Sequence, residues 1–272
     1  MRFALASALI VVLSLVPPAV LADCPGFIAE IPRGPRLASK TWLGPVTAME
    51  QAEGQVGITY LGHSSFLIQS SQGVGIITDY NDYVAPLVLP DIVTMNNQHD
   101  THHTPRPDPR IRHILRGWAL GANPTLHDLR YKDVEVRNVP THARNFRGAE
   151  AGTRAYGNSI FLFNTAGICI AHLGHLHHLL NDVLLSEIGK IDVLMIPIDG
   201  MYTMSQEDAI DAMEKLKAPL NMPMHYFGPH TLERFLTKAR PRFPVRMSET
   251  ASIAITRSDL PDRPEILVLP GR

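Results

Sequence analysis

Little in this chain points toward nucleic acid, a membrane span or thiol chemistry. Its 25 basic and 26 acidic residues leave a formal charge of -1, so no field of one sign steers it toward nucleic acid or an anionic surface. Cysteine occurs twice, at Cys24 and Cys169. Neither has a second ligand at motif spacing, which leaves no thiolate metal site and no nucleophile candidate. The sequence contains no Gly-x-Ser-x-Gly elbow, no glycine-rich phosphate loop and no dinucleotide fingerprint. Repeats at solenoid spacing are missing as well. The N-terminal apolar run, Ala4–Val16, is too short to cross a bilayer and is followed by Pro17-Pro18. With Met1-Arg2 before it and Val20-Leu21-Ala22 after it, the run reads as a secretory signal over residues 1–22. Residues 23–272 then form one domain of ordinary apolar content, 45%, expected in the periplasm or outside the cell without stable membrane insertion. That compartment is oxidising, so Cys24 and Cys169 can pair. Because Cys169 sits in the apolar run Gly167–Ala171, a buried free thiol is an equal reading.

Histidine, by contrast, is abundant, and its placement is not random. Neutral imidazole is the commonest protein ligand for zinc and copper. The stretch Asn96–Thr104 holds His99, His102 and His103 and follows the apolar run Leu87–Val93, so it reads as a loop at the end of a short buried strand. A solvated histidine-rich loop would look the same, and the decision falls on what happens elsewhere. Val56–Leu61 reads as a strand ending in Gly62-His63-Ser64-Ser65, Phe66–Gln69 resumes it, and Val74–Thr78 ends in Asp79. An ionised carboxylate beside a core needs a partner. Val134–Val139 ends close to His142. The hairpin Ser159–Asn164 and Gly167–Ala171 delivers His172, His175, His177 and His178. His172 follows directly on the strand and points into the core or supports a ligand. Gly174 lets the backbone approach closely at His175, which is the ligand choice here. His113 and His127 lie in an irregular stretch and read as surface residues. Asp192–Ile198 ends in Asp199-Gly200, and Leu220–Met224 ends in His225-Tyr226-Phe227. Helices are expected over Leu179–Ile188, over Gln206–Lys217 behind an N-cap at Ser205, and over Thr231–Ala239. Met247–Thr256 and Glu265–Leu269 read as closing strands. Meanders first and strand–helix alternation later predict sheets covered by helices in an α/β domain.

This order of signals resembles the metallo-β-lactamase fold, in particular its ascorbate-phosphate lactonase and N-acyl-phosphatidylethanolamine phospholipase branches. The likeness covers roughly Ile58 to Phe227. It implies an αββα sandwich with one or two metal ions at one edge and hydrolysis of an ester, lactone or phosphoester. The family signature His-x-His-x-Asp-His falls on Asn97-Gln98-His99-Asp100-Thr101-His102. Asn97 and Thr101 thus replace a histidine and the aspartate, while His99 and His102 are kept. The lone middle histidine matches His142 and the last ligand matches His225. The family's Gly-Asp becomes Gly174-His175, so an imidazole stands where a bridging carboxylate is usual. A single ion, zinc or another divalent transition metal, is therefore expected. The candidate ligands are His99, His102, His142, His175 and His225, used either as His102, His175 and His225 or as His99, His142 and His175. Asp79 and Asp100 are candidates for orienting the nucleophile, and His63 and Tyr226 for touching a small-molecule substrate. A metal-binding protein without catalysis is the competing reading.

Overall fold

The computed structural model describes residues 24, 51–84, 88–145 and 152–271; the expected signal segment lies outside them. Two sheets stack face to face. The first joins β1 (Val56–Gly62), β2 (Ser65–Gln69), β3 (Gly75–Ile77), β4 (Ile92–Met95), β5 (His113–Arg116) and β13 (Ser252–Ile255), in the order β13-β1-β2-β3-β4-β5. The second is built from β6 (Asp128–Tyr131), β7 (Val134–Asn145), β8 (Gly152–Thr165), β9 (Ile168–His172), β10 (Val193–Pro197), β11 (Leu220–Met224), β12 (Val245–Met247) and β14 (Glu265–Val268). Its order is β12-β14-β11-β10-β9-β8-β7-β6. Helices α1 (Asp182–Ile188), α2 (Gln206–Leu216) and α3 (Pro229–Ala239) cover the second sheet.

Strand periodicity explains the layering. Alternate residues of a strand face opposite sides, and the central strands here are apolar at both. In β10, Val193 and Met195 enter the cluster between the sheets, while Leu194 and Ile196 face the helices. In β2, Phe66 and Ile68 point inward and Leu67 outward. A strand covered on both faces reads as a continuous apolar run, as these do. The outer face of the first sheet differs from the expected helical layer. Among the described residues it is covered by loop side chains, including Tyr80, Ile111 and Trp118. Helix α2 starts where expected, Ser205 Oγ accepting the Asp208 N–H at 3.0 Å.

Several boundaries depart from the sequence reading. The strand expected in Leu87–Val93 begins only at Ile92, and Leu89 is exposed; Pro90 has no N–H to give to a ladder. The chain through His113 and His127 is more ordered than read. His113 lies in β5, and His127 Nε2 donates to Arg116 O at 2.8 Å. Cys24 and Cys169 form a disulfide, so the free-thiol alternative does not hold.

The topology fixes where chemistry can sit. Strands β3, β4 and β5 run parallel, as do β9, β10, β11, β14 and β12. Parallel strands release their following residues at one edge, which is where α/β sheets build their sites. Asp79, His102, Asp199 and His225 follow such strands, and His172 ends one.

Candidate metal centre

His63, His102 and His225 each bring one ring nitrogen to within 4.8 Å of the others. His63 sits in the β1–β2 turn, His102 in the loop after β4, and His225 directly after β11. His225 N–H donates to His63 O at 2.6 Å, which ties the two sheets together at this point. The backbone is strained here: His63, Asp79 and His225 have φ of 51°, 45° and 58°. Left-handed backbone is unfavourable for a residue with a Cβ and persists where surrounding contacts enforce it, commonly at functional sites.

Each inner histidine is backed by a carboxylate. His102 Nδ1 lies 2.5 Å from Asp79 Oδ2, both fully buried. His225 Nδ1 lies 3.1 Å from Asp199 Oδ1. Asp79 is itself held by the Asn96 N–H, at 3.0 Å from its Oδ1. Asp199 accepts the Met201 and Tyr202 N–H groups and the Thr203 hydroxyl. Burial would raise the Asp199 carboxyl, but His225 and Thr203 outweigh it and hold it low.

Beyond these pairs the other ring nitrogens meet. His102 Nε2 and His225 Nε2 are 3.0 Å apart. His102 Nδ1 is held by Asp79, and His225 Nδ1 faces Asp199 at 3.1 Å; with the ring protons on these Nδ1 sides, both Nε2 atoms present lone pairs to one another. Protonation is a poor remedy: burial, followed by repulsion from His225, drives His102 well below its ordinary range. His63 falls to about 4 for the same two reasons, and its Nε2 is buried without a hydrogen-bond partner. Two facing lone pairs, a third unpartnered nitrogen and two carboxylates behind them fit a divalent cation. Carboxylate–histidine pairs of this type orient imidazoles toward metals, and an all-nitrogen set suits zinc.

The remaining predicted residues separate into those near this cluster and those away from it. The His175 ring stands 4.9 Å from His102 and 5.2 Å from His225, and its Nδ1 is buried without a partner. His99 lies farther out, 6.1 Å from His102 and 5.9 Å from His175 between ring centroids. His142 is turned elsewhere: its Nδ1 accepts the Tyr156 N–H at 3.3 Å, and its ring packs on Tyr156 and His178. The bulge between Thr141 and Ala143 accompanies that turn. Asp100 is exposed, and no hydrogen bond joins it to the histidines among the described residues. Tyr226 is half-buried against Tyr60, 6.3 Å between rings, because the left-handed residue at 225 breaks the strand alternation. Phe227 instead touches the cluster, 5.7 Å from His63 and 5.6 Å from His225. His172 is fully buried, with Nε2 donating to Ser64 O at 2.7 Å and Nδ1 accepting the Gly174 N–H at 3.2 Å. It is a supporting residue. Asp199 went unassigned in the sequence, although it carries the same mark as Asp79: a carboxylate closing an apolar strand. Nothing in the sequence separated His63 from a turn histidine.

Comparison with known proteins agrees with this architecture. Residues 57–225 match the model of the β-lactamase superfamily domain. The chain belongs to that family. A metal-dependent hydrolase of Methanospirillum hungatei is 27% identical over 186 residues, 62% of this chain and 82% of the relative. One from Carboxydothermus hydrogenoformans is 38% identical, but over 24% of this chain and 29% of the relative. In the Thermoplasma volcanium relative the match spans 41% of its length at 28% identity. Among solved structures, a candidate Zn-dependent hydrolase of the metallo-β-lactamase superfamily from Thermotoga maritima superposes with a TM-score of 0.56 at 24% identity. It covers 79% of this chain and 98% of that one. The metallo hydrolase Igni18 from Ignicoccus hospitalis gives 0.53 at 19% identity, covering 80% and 97%. These likenesses show the fold.

Proposed function

We propose that this chain is an exported hydrolase dependent on one divalent transition-metal ion, zinc by the chemistry of its donors. The 3.0 Å approach of His102 Nε2 to His225 Nε2 carries the reading. His63, His102 and His225 would hold the ion, with His175 beside them. An ion of this kind lowers the pKa of water from 15.7 to about 7, making a nucleophile available at neutral pH on an ester, lactone or phosphoester. Asp79, hydrogen-bonded to His102 Nδ1, and Asp199, 3.1 Å from His225 Nδ1, favour the tautomers that present Nε2. Phe227, 63% exposed, sets an apolar ring beside His63 and His225, with Tyr202 5.6 Å from it. The disulfide supports export, since such bonds persist in oxidising compartments; a mature N-terminus near Asp23, read by mass spectrometry, checks this.

Metal analysis of protein purified without added metal, then turnover of an ester, lactone and phosphodiester panel, tests the reading. About one equivalent of zinc with turnover of one class is expected, and protein that takes up no metal overturns it. One observation favours metal binding without catalysis: both buried carboxylates lie behind the histidines, on their Nδ1 sides. Bound zinc with no turnover across the panel would select that alternative.

A further inference from the structure

Phe227 and Tyr202 are exposed aromatic rings to which the metal chemistry gives no task. Phe227 is 63% exposed and Tyr202 44%, and Met201, next to Tyr202 in the chain, is 66% exposed. The two rings meet edge to face, with centroids 5.6 Å apart and planes at 75°. Single exposed apolar side chains are ordinary on a protein surface and call for no ligand. This pair is set apart by its place. The Phe227 ring lies 5.7 Å from that of His63 and 5.6 Å from that of His225, two of the three proposed ligands, whose own rings are 4.2 Å apart. Whatever covers Phe227 therefore adjoins the metal centre.

Both rings are presented by anchored backbone. Asp199 accepts the Met201 N–H at 2.9 Å and the Tyr202 N–H at 2.5 Å, together with the Thr203 N–H and hydroxyl. Arg144 donates to Met201 O and Thr203 O at 3.4 and 3.5 Å. Gln206 Nε2 joins Ile198 O, just before this loop, to Thr231 O of α3 at 3.0 and 3.1 Å. One carboxylate thus stands behind a ligand histidine and also fixes the loop that carries Tyr202. On the other side, left-handed His225, its N–H bonded to His63 O, turns the chain so that Phe227 rather than Tyr226 reaches the histidines. Aromatic side chains on a fixed backbone lose little freedom when a ligand covers them, and small-molecule sites combine such apolar walls with a few polar groups. The cavity lined by Met213, Lys217, Arg242 and Phe243 is a weaker candidate, because no residue of its lining belongs to the metal centre.

We propose that Phe227 and Tyr202 seat an apolar group of the substrate, an aryl ring or an alkyl chain attached beside the bond that is cut. Phe227 is then the main specificity-determining residue. The proposal rests on the hydrolase reading for the word substrate, but apolar binding is measurable without metal or turnover. The full chain, stripped of metal by chelation, is titrated with the neutral fluorescent probe N-phenyl-1-naphthylamine. The wild type should bind it, and Phe227→Ala should weaken binding by about tenfold, the scale of one buried aromatic side chain. Tyr202→Ala should show a smaller loss and Phe227→Leu should keep part of the affinity. Leu126→Ala, an exposed apolar residue beside β6 at the far end of the second sheet's order, should change nothing. Turnover supplies the second reading. Within the class that is hydrolysed, the ratio of kcat/KM for a phenyl- or hexyl-bearing substrate to that of its methyl counterpart should fall about tenfold in Phe227→Ala, with zinc uptake retained. If Phe227 only braced His63 and His225, zinc affinity would fall and the ratio would stand, which overturns the proposal. So does a wild type that does not take up the probe, or a probe affinity lowered as much by Leu126→Ala as by Phe227→Ala. Absence of zinc binding and turnover sinks the hydrolase reading instead and leaves the probe titration decisive on its own.

Discussion

Among the described residues two histidine clusters stand apart, and of these two one is arranged for a metal. His63, His102 and His225 direct ring nitrogens at one another, with Asp79 and Asp199 behind the inner pair. His142, His177 and His178 are also close, with ring centroids 5.6 and 5.3 Å apart along the chain of contacts. Each of the three gives at least one ring nitrogen to backbone. His178 Nε2 accepts the His142 N–H, His177 Nδ1 donates to His142 O, and His178 Nδ1 donates to Leu179 O. Proximity of imidazoles is therefore not the signal. What matters is whether the ring nitrogens are tied to backbone or left facing a common point, with carboxylates behind the inner pair.

The largest expected contrast is in zinc affinity. His102→Ala should cost ~100-fold or more, since it removes a donor and frees Asp79, whereas His178→Ala should leave the calorimetric titration unchanged. Equal losses in both variants would erase the distinction drawn here. Next come the carboxylates: Asp79→Asn and Asp199→Asn should each lower zinc affinity by ~10–100-fold, the range for residues that orient a ligand. A smaller effect concerns stability. Zinc at a hundred times its dissociation constant should add about 2.7 kcal/mol, a rise in melting temperature of roughly 5–10 °C for a domain of this size. The shift should vanish with His102→Ala or a chelator and survive His178→Ala.

The smallest effect belongs to the second cluster alone. Burial, then repulsion from His178, lowers His177 to about 4. The unfolded chain, with a histidine pKa near 6.5, then binds more protons than the folded one between about pH 6.5 and 4. Stability contributed by neutral His177 is thus present above that window and falls as the pH drops through it. His177→Gln should flatten the acid side of the melting profile slightly; a profile as steep as that of the wild type would remove His177 from the acid response.

Where apolar periodicity was strong, the fold was legible. β11 was read residue for residue as Leu220–Met224, and β10 and α2 within a residue or two at either end. Short strands without a run of apolar residues, β5 and β6, were not visible, because neighbouring strands rather than their own pattern define them. The site was half legible for a related reason. Strand-end position marked His102, His225 and Asp79, since the topology gathers strand ends at one edge. It also marked His142, whose ring orientation depends on a bulge that sequence does not announce. His63 lies in a turn between antiparallel strands, where a histidine has no periodic signature.

The proposed ligands come from both halves of the sandwich: His63 and His102 from the first sheet's loops, His225 from the second's. A cation seated there would act as a rivet through two plates, and the His225–His63 backbone bond is the pin already in place. Prising the plates apart would dismantle the coordination sphere, so the protein could not open along that seam and keep its ion.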